Sequence, residues 1–172
     1  MWLKLVGSII VIITSTYIGF SLASRYAERP RQIRQLISCL SALKSHINYA
    51  AVPLPEALSQ CTCGLTGPVA DFFHTTSLLL SHSAWLTPQA ALTQVLKDST
   101  QLVFNQPERE LLASFSATLG SMDRNEQQKS FELIHEQLSR IQQEAETRCE
   151  QNVKMYRYLG VCSGLAIVII LV

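Results

Sequence analysis

Apolar residues through the middle of this chain recur at threes and fours, the spacing that lines one side of an α-helix. From Arg31 the set Ile33, Leu36, Ile37, Leu40, Leu43 and Ile47 forms such a stripe, with Arg34, Ser38, Ser41 and Ser45 opposite. The pattern predicts an amphipathic helix, with Pro30 in its first turn or kinking it away from what precedes. Pro53 and Pro55 close that helix and open a short one over Glu56 to Gln60, and Gly64 with Gly67 marks a loop. A helix starting at Pro68 puts Val69, Phe72, Phe73, Thr76, Leu79 and Leu80 on one face. Its partner begins with Thr87 as N-cap and Pro88 at N1, and turns Ala91, Val95 and Leu96 inward. Gln106 and Pro107 read as another N-cap and N1 pair, opening a helix with Leu111, Leu112, Phe115 and Leu119 that Gly120 ends. Asp123 followed by Glu126 resembles a capping box for the last and longest helix. Its seam is Phe131, Ile134, Leu138, Ile141 and Ala145, continued by Val153, Tyr156 and Leu159. Arg148 interrupts the seam, which points to packing within a bundle rather than a long autonomous coiled coil.

Two uncharged apolar stretches bracket this middle. Leu5 to Ser24 holds 20 residues with no ionisable group but the Tyr17 phenol, and as helix it spans about 30 Å, the thickness of a bilayer core. Arg25, Arg29, Arg31 and Arg34 follow it against a single Glu28, which by the positive-inside rule places the rest of the chain in the cytoplasm. Tyr158 to Val172 is shorter, about 22 Å as helix, with Lys154 and Arg157 at its inner border able to snorkel. The expected architecture is therefore all-α: a cytoplasmic bundle of about six helices between an N-terminal and a C-terminal transmembrane helix. The boundaries fall at 1–24, 25–157 and 158–172. Ser15 with Gly19, and Gly160 with Gly164, are small-xxx-small pairs that let membrane helices approach closely. A cleaved signal peptide is the rival for the N-terminus, since Ser21-Leu22-Ala23 resembles a processing site, but the arginines behind it oppose export.

Composition narrows the chemistry. Fourteen basic residues against thirteen acidic give no electrostatic footprint for nucleic acid. Five scattered cysteines, Cys39, Cys61, Cys63, Cys149 and Cys162, fit reduced thiols better than a disulfide framework. Neither they nor the histidines carry a metal spacing, no phosphate loop is present, and no cofactor is expected. An enzyme would have to use Glu126 or Glu132 with His135 as acid and base. A charged residue among others on a helix is more often simply solvated.

The run Glu28 to Leu36, ERPRQIRQL, directly after the first apolar stretch, together with Pro53-Leu54 and Glu56-Ala57-Leu58, resembles the stage III sporulation protein AB family of endospore-forming bacteria. Leu119-Gly120, Asp123, Gln127 and Phe131, then Asn152 to Arg157 and Leu159-Gly160 to Gly164-Leu165, resemble that family's closing helix and tail in order and spacing. Cys61 to Gly67 carries the least family pattern. The resemblance implies a membrane component of the channel machinery between mother cell and forespore, its soluble part similar to the type II secretion inner-membrane platform protein. It implies a location in the cell membrane, with the bulk of the chain in the mother-cell cytoplasm. The implied partners are a stage III sporulation protein AA-type ATPase, other membrane proteins of the same channel, membrane lipid, and a second copy as homo-oligomer.

Contacts to such a motor would fall on exposed charge. Arg29, Arg31 and Arg34 are candidates on one side and Glu132, Glu136 and Glu144, with Glu146 and Glu150, on the other. The alternatives are a small membrane-anchored signalling or scaffold protein and, least supported, a membrane-bound enzyme using Glu132 and His135.

Overall fold

The computed structural model describes residues 14, 27–48, 50, 52–83, 85–119 and 124–171, with side chains in the last helix given at 125–151, 153, 155 and 158. Among these residues there are six helices and no strand. They are α1 over 27–48, α2 Leu54–Gln60, α3 Pro68–His82, α4 Pro88–Asp98, α5 Gln106–Thr118 and α6 Arg124–Leu171. The chain divides into two compact units, Arg31–Gln142 and a second made of Met1–Pro30 with Gln143–Val172.

Within Arg31–Gln142 the predicted apolar stripes make the core. Ile33, Leu36, Leu40 and Leu43 of α1 are buried, as are Val69, Phe72, Phe73 and Thr76 of α3, and Ala91, Val95 and Leu96 of α4. Leu112, Phe115 and Leu119 join Phe131, Ile134 and Leu138 of α6. The rings of Phe115 and Phe131 meet edge to face with centroids 4.9 Å apart, and those of Phe72 and Phe73 at 5.1 Å, an arrangement set by the positive edge and negative face of each ring. The stripe edges are wetter than the periodicity suggests: Ile37, Ile47, Leu79, Leu80, Leu111 and Ile141 are only half-buried. Leu111 and Ile141 line an open groove of about 500 Å³ between α5 and α6.

Helix starts follow local chemistry. Proline sits in the first turn of α2, α3, α4 and α5, where its missing N–H costs nothing and its φ suits a helix. Gly67, the residue before Pro68, has φ 109, and Gly64 has φ 79, backbone conformations that disfavour any side chain. Thr87 caps α4 as expected, its Oγ1 accepting from the Ala90 N–H at 3.2 Å. Thr87→Ala should lower stability by about 1 kcal/mol, measured as a shift of the urea midpoint at unchanged slope. The start of α5 corrects the sequence reading by one position. Asn105 is the N-cap, Gln106 is N1 and Pro107 is N2. Gly120 and Asp123, the expected stop of α5 and cap of α6, lie outside the described residues.

Buried polar residues fasten the helices to each other. Gln32 donates to the Gln101 carbonyl at 3.2 Å and accepts from the Val103 N–H at 2.8 Å, pinning the α4–α5 loop to α1. Gln35 donates to the Thr66 carbonyl at 3.4 Å, so the α2–α3 loop meets the same end of α1. Ser77 donates to the Pro55 carbonyl at 2.6 Å. Arg109 donates to the Leu96 carbonyl at 2.9 Å, satisfying a last-turn acceptor of α4 with a positive charge. Glu108, fully buried, is the third residue of α5, where the helix dipole favours an anion. Thr118 pairs with Ser130 at 2.9 Å and Phe115 with Phe131, so α5 and α6 pack antiparallel, while Lys44 of α1 meets Glu132 of α6.

Neither expected membrane span is described in full. The stretch 5–24 lies outside the described residues apart from Thr14, and 158–171 is helical in backbone while its side chains beyond Tyr158 are not described. Among the described residues no helix is long and apolar enough to cross a membrane.

Candidate functional site

The outward side of α1 exposes Arg31, Arg34, Ser38, Ser41 and Ser45, a stripe at threes and fours opposite the apolar one. Arg31 and Arg34 thus share a helical face, and the Arg34 carbonyl accepts from the Ser38 hydroxyl at 3.1 Å. Glu132 and Glu136 lie one turn apart on α6, both exposed. Arg29, half-buried, and Glu144, exposed, belong to the other unit. Gly160 and Gly164 stand one turn apart along the α6 backbone, whereas Ser15 and Gly19 lie outside the described residues.

Two of the acids have partners within the bundle. Glu136 accepts from Arg140 at 2.6 Å one helical turn on, an exposed pair of about 0.3–0.5 kcal/mol. Glu132 accepts from Lys44 at 3.2 Å and from Gln128 at 3.3 Å. Those two hydrogen bonds, Lys44 first, hold the Glu132 carboxyl below its ordinary value of 4.5. With the folded value depressed, the stabilisation the pair provides is present above the unfolded value and is lost as pH falls through the folded one. We expect NMR titration to place Glu132 below an ordinary glutamate, and Lys44→Met to bring it back up.

Glu132, His135, Lys44, Ser41, Leu40 and Phe131 line a cavity of about 310 Å³ between α1 and α6. Its carboxylate is thus ionised and already engaged by an ammonium and an amide, an arrangement suited to an ion pair rather than to a general acid. Among the described residues no group of three or more His, Cys, Asp or Glu is placed to hold a metal ion. Cys39 and Cys61 are buried while Cys63 is exposed. The hydrogen bond with Cys39 holds the Cys61 thiol protonated, and burial pushes the same way.

Sequence reasoning passed over two residues. Lys44 was unremarkable until the fold brought it to Glu132. Trp85, in the α3–α4 turn, stands 84% exposed; its only signal in the sequence is a large aromatic residue between two helices.

Fold and site together define an all-helical bundle domain with charged side chains on its outward faces. The chain matches the family Stage III sporulation protein AB over residues 4–172. It is 35% identical over 169 residues to Stage III sporulation protein AB of Bacillus subtilis (strain 168), covering 98% of this chain and 99% of that one. A solved structure of Stage III sporulation protein AB superimposes with a TM-score of 0.67 at 35% identity, covering 72% of this chain and 97% of that one. The chain belongs to the stage III sporulation protein AB family.

Proposed function

We propose that this chain is a non-enzymatic platform subunit of the secretion-like channel complex between mother cell and forespore, required for sporulation. In this role it docks the stage III sporulation protein AA-type ATPase on its cytoplasmic bundle and contacts other membrane proteins of the channel. Segments 5–24 and 158–172 tether it to the cell membrane, with 25–157 in the mother-cell cytoplasm. The observation that carries the reading is α6. This 48-residue helix sinks Phe131, Ile134 and Leu138 into the bundle core, and after Arg157 it contains no charged residue. A helix rooted at one end in a packed core and greasy at the other can act as a lever between a soluble motor and a bilayer. Arg31, Arg34 and the acids Glu132, Glu136 and Glu144 supply rim charge for steering the motor. Arg29, nearer in sequence to the first tether than Arg31 and Arg34, suits lipid headgroups.

A pull-down with the cognate ATPase tests the docking. The full chain in detergent should retain the ATPase, and Arg31→Glu with Arg34→Glu should release it while circular dichroism stays helical. Failure of the unaltered chain to retain the motor removes the platform role; retention by the double variant removes these arginines from the contact. Topology has its own probe in Cys63, the exposed thiol. Labelling of Cys63 by an impermeant maleimide from outside closed cells would put the bundle on the wrong side of the membrane.

A further inference from the structure

We propose that the groove between the start of α3 and the end of α4 is an interaction surface for a segment of another protein that carries an arginine beside an apolar residue. The groove has a volume of about 450 Å³, within the range of roughly 300–1,000 Å³ typical of sites that enclose a ligand. Its floor is apolar, made by Phe72, Leu79, Val95 and Leu102, and its rim carries Asp71 of α3 and Asp98 of α4. Both acids are exposed. Among the described residues no lysine, arginine or histidine lines it. Every lining residue belongs to the Arg31–Gln142 unit, so the groove is a feature of one compact body.

The negative charge of this groove is uncompensated within the bundle. Among the described residues neither Asp71 nor Asp98 has an ion pair or a side-chain hydrogen bond, in contrast to Glu132 and Glu136. Asp71 stands in the first turn of α3, where the helix dipole favours an anion. Asp98 is the last residue of α4, where unsatisfied carbonyls gather and the dipole opposes one. Nearby bases are placed elsewhere: Arg109 gives its donors to the Leu96 and Phe104 carbonyls, and Lys97 lines a separate hollow with Ala90 and Thr93. A carboxylate kept at the opposing end of a helix calls for a cation from outside. The loop wall of the groove is held in place, because Gln32 binds the Gln101 carbonyl and the Val103 N–H, and Ser99 donates to the Val95 carbonyl at 2.7 Å. A groove already formed loses little entropy when it is filled. A metal ion needs several ligands converging on one point, and among the described residues no group of three or more acids, histidines or cysteines does so. An arginine suits both parts of the surface. Its fork pairs with carboxylates and its weakly hydrated plane tolerates an apolar floor, while an apolar neighbour covers the rest.

The test is an NMR titration of the full chain in detergent with acetyl-leucyl-arginyl-leucine amide, its glutaminyl counterpart serving as the uncharged control. The arginyl peptide should shift the amide resonances of Thr75, Asp98 and Thr100, which border the groove, in a saturable way that fades as salt is raised. Asp71→Asn combined with Asp98→Asn should weaken binding by at least about five-fold. Asp98→Asn alone should leave the thermal midpoint unchanged or raised, since it removes a charge that the α4 dipole opposes. Equal responses to the two peptides, or of parent and double variant, overturn the inference, as does no response at all. A lower thermal midpoint for Asp98→Asn makes this acid a structural residue and overturns it too. So does calcium chloride moving these resonances where the peptide does not, which makes the groove a cation site. The platform reading and its ATPase pull-down stand apart from each of these outcomes.

Discussion

Phe131→Ala is expected to lower the stability of the bundle by about 3–5 kcal/mol, the range for deleting a buried aromatic ring. Phe131 is 2% exposed, and it meets Phe115 edge to face. Its removal costs the transfer free energy of the ring, leaves a cavity between α5 and α6, and forfeits a ring pair of about 0.5–1.5 kcal/mol. Phe131→Leu refills most of that volume and should lose only about 1–2 kcal/mol. Urea denaturation followed by circular dichroism separates the two, because both should move the midpoint while the slope holds. A Phe131→Ala chain as stable as the parent would mean that α6 is not rooted in this core, and the lever would have no fulcrum.

Gln32→Leu should cost about 2–3 kcal/mol although it replaces a polar side chain by an apolar one of similar size. Gln32 is 3% exposed and serves the Gln101 carbonyl and the Val103 N–H at once. An apolar substitute removes the partner of both part-buried backbone groups, and stranding a polar group costs about 1–3 kcal/mol where water does not replace the lost bond. Gln32→Glu gives a sharper signature. It keeps an acceptor for Val103 but turns a carboxylate toward the Gln101 carbonyl, so burial and repulsion raise its pKa in the folded chain. The folded state then binds more protons than the unfolded one, and the variant should gain stability as pH falls through that raised value. Stability of Gln32→Glu that falls with acidification in step with the parent would show that the loop is not held by this side chain.

Whatever depended on neighbours in sequence was legible in advance. Pro68, and Thr87 with Pro88, announced their helices because a proline at N1 and a hydroxyl at the N-cap act within one turn. Placing the α5 cap at Gln106 overlooked Asn105, although asparagine is among the favoured N-cap residues; here, however, its side chain makes no capping bond. Periodicity found the centre of each apolar stripe but not its edges. Whether Ile37, Leu111 or Ile141 is covered depends on the helix opposite, which spacing along one helix does not specify. The polar ties were invisible for the same reason. Gln32 and Gln101 are 69 positions apart and Lys44 and Glu132 are 88 apart, and no local rule links them. Charge told which residues face water, not which already hold one another: Glu132 and Glu136 looked alike in the sequence, yet one reaches across to α1 and the other along its own helix.

That separation has a consequence for how the chain is made. The side of α1 bearing Leu40 can meet Phe131 only after α6 has been synthesised, 88 positions beyond Lys44 by the measure of the Lys44 to Glu132 pair. At translation rates of about 5–20 residues per second that is a delay of roughly 4–18 s. Throughout it, a newborn α1 must find temporary cover for its greasy side, at the ribosome surface, in a chaperone or against lipid.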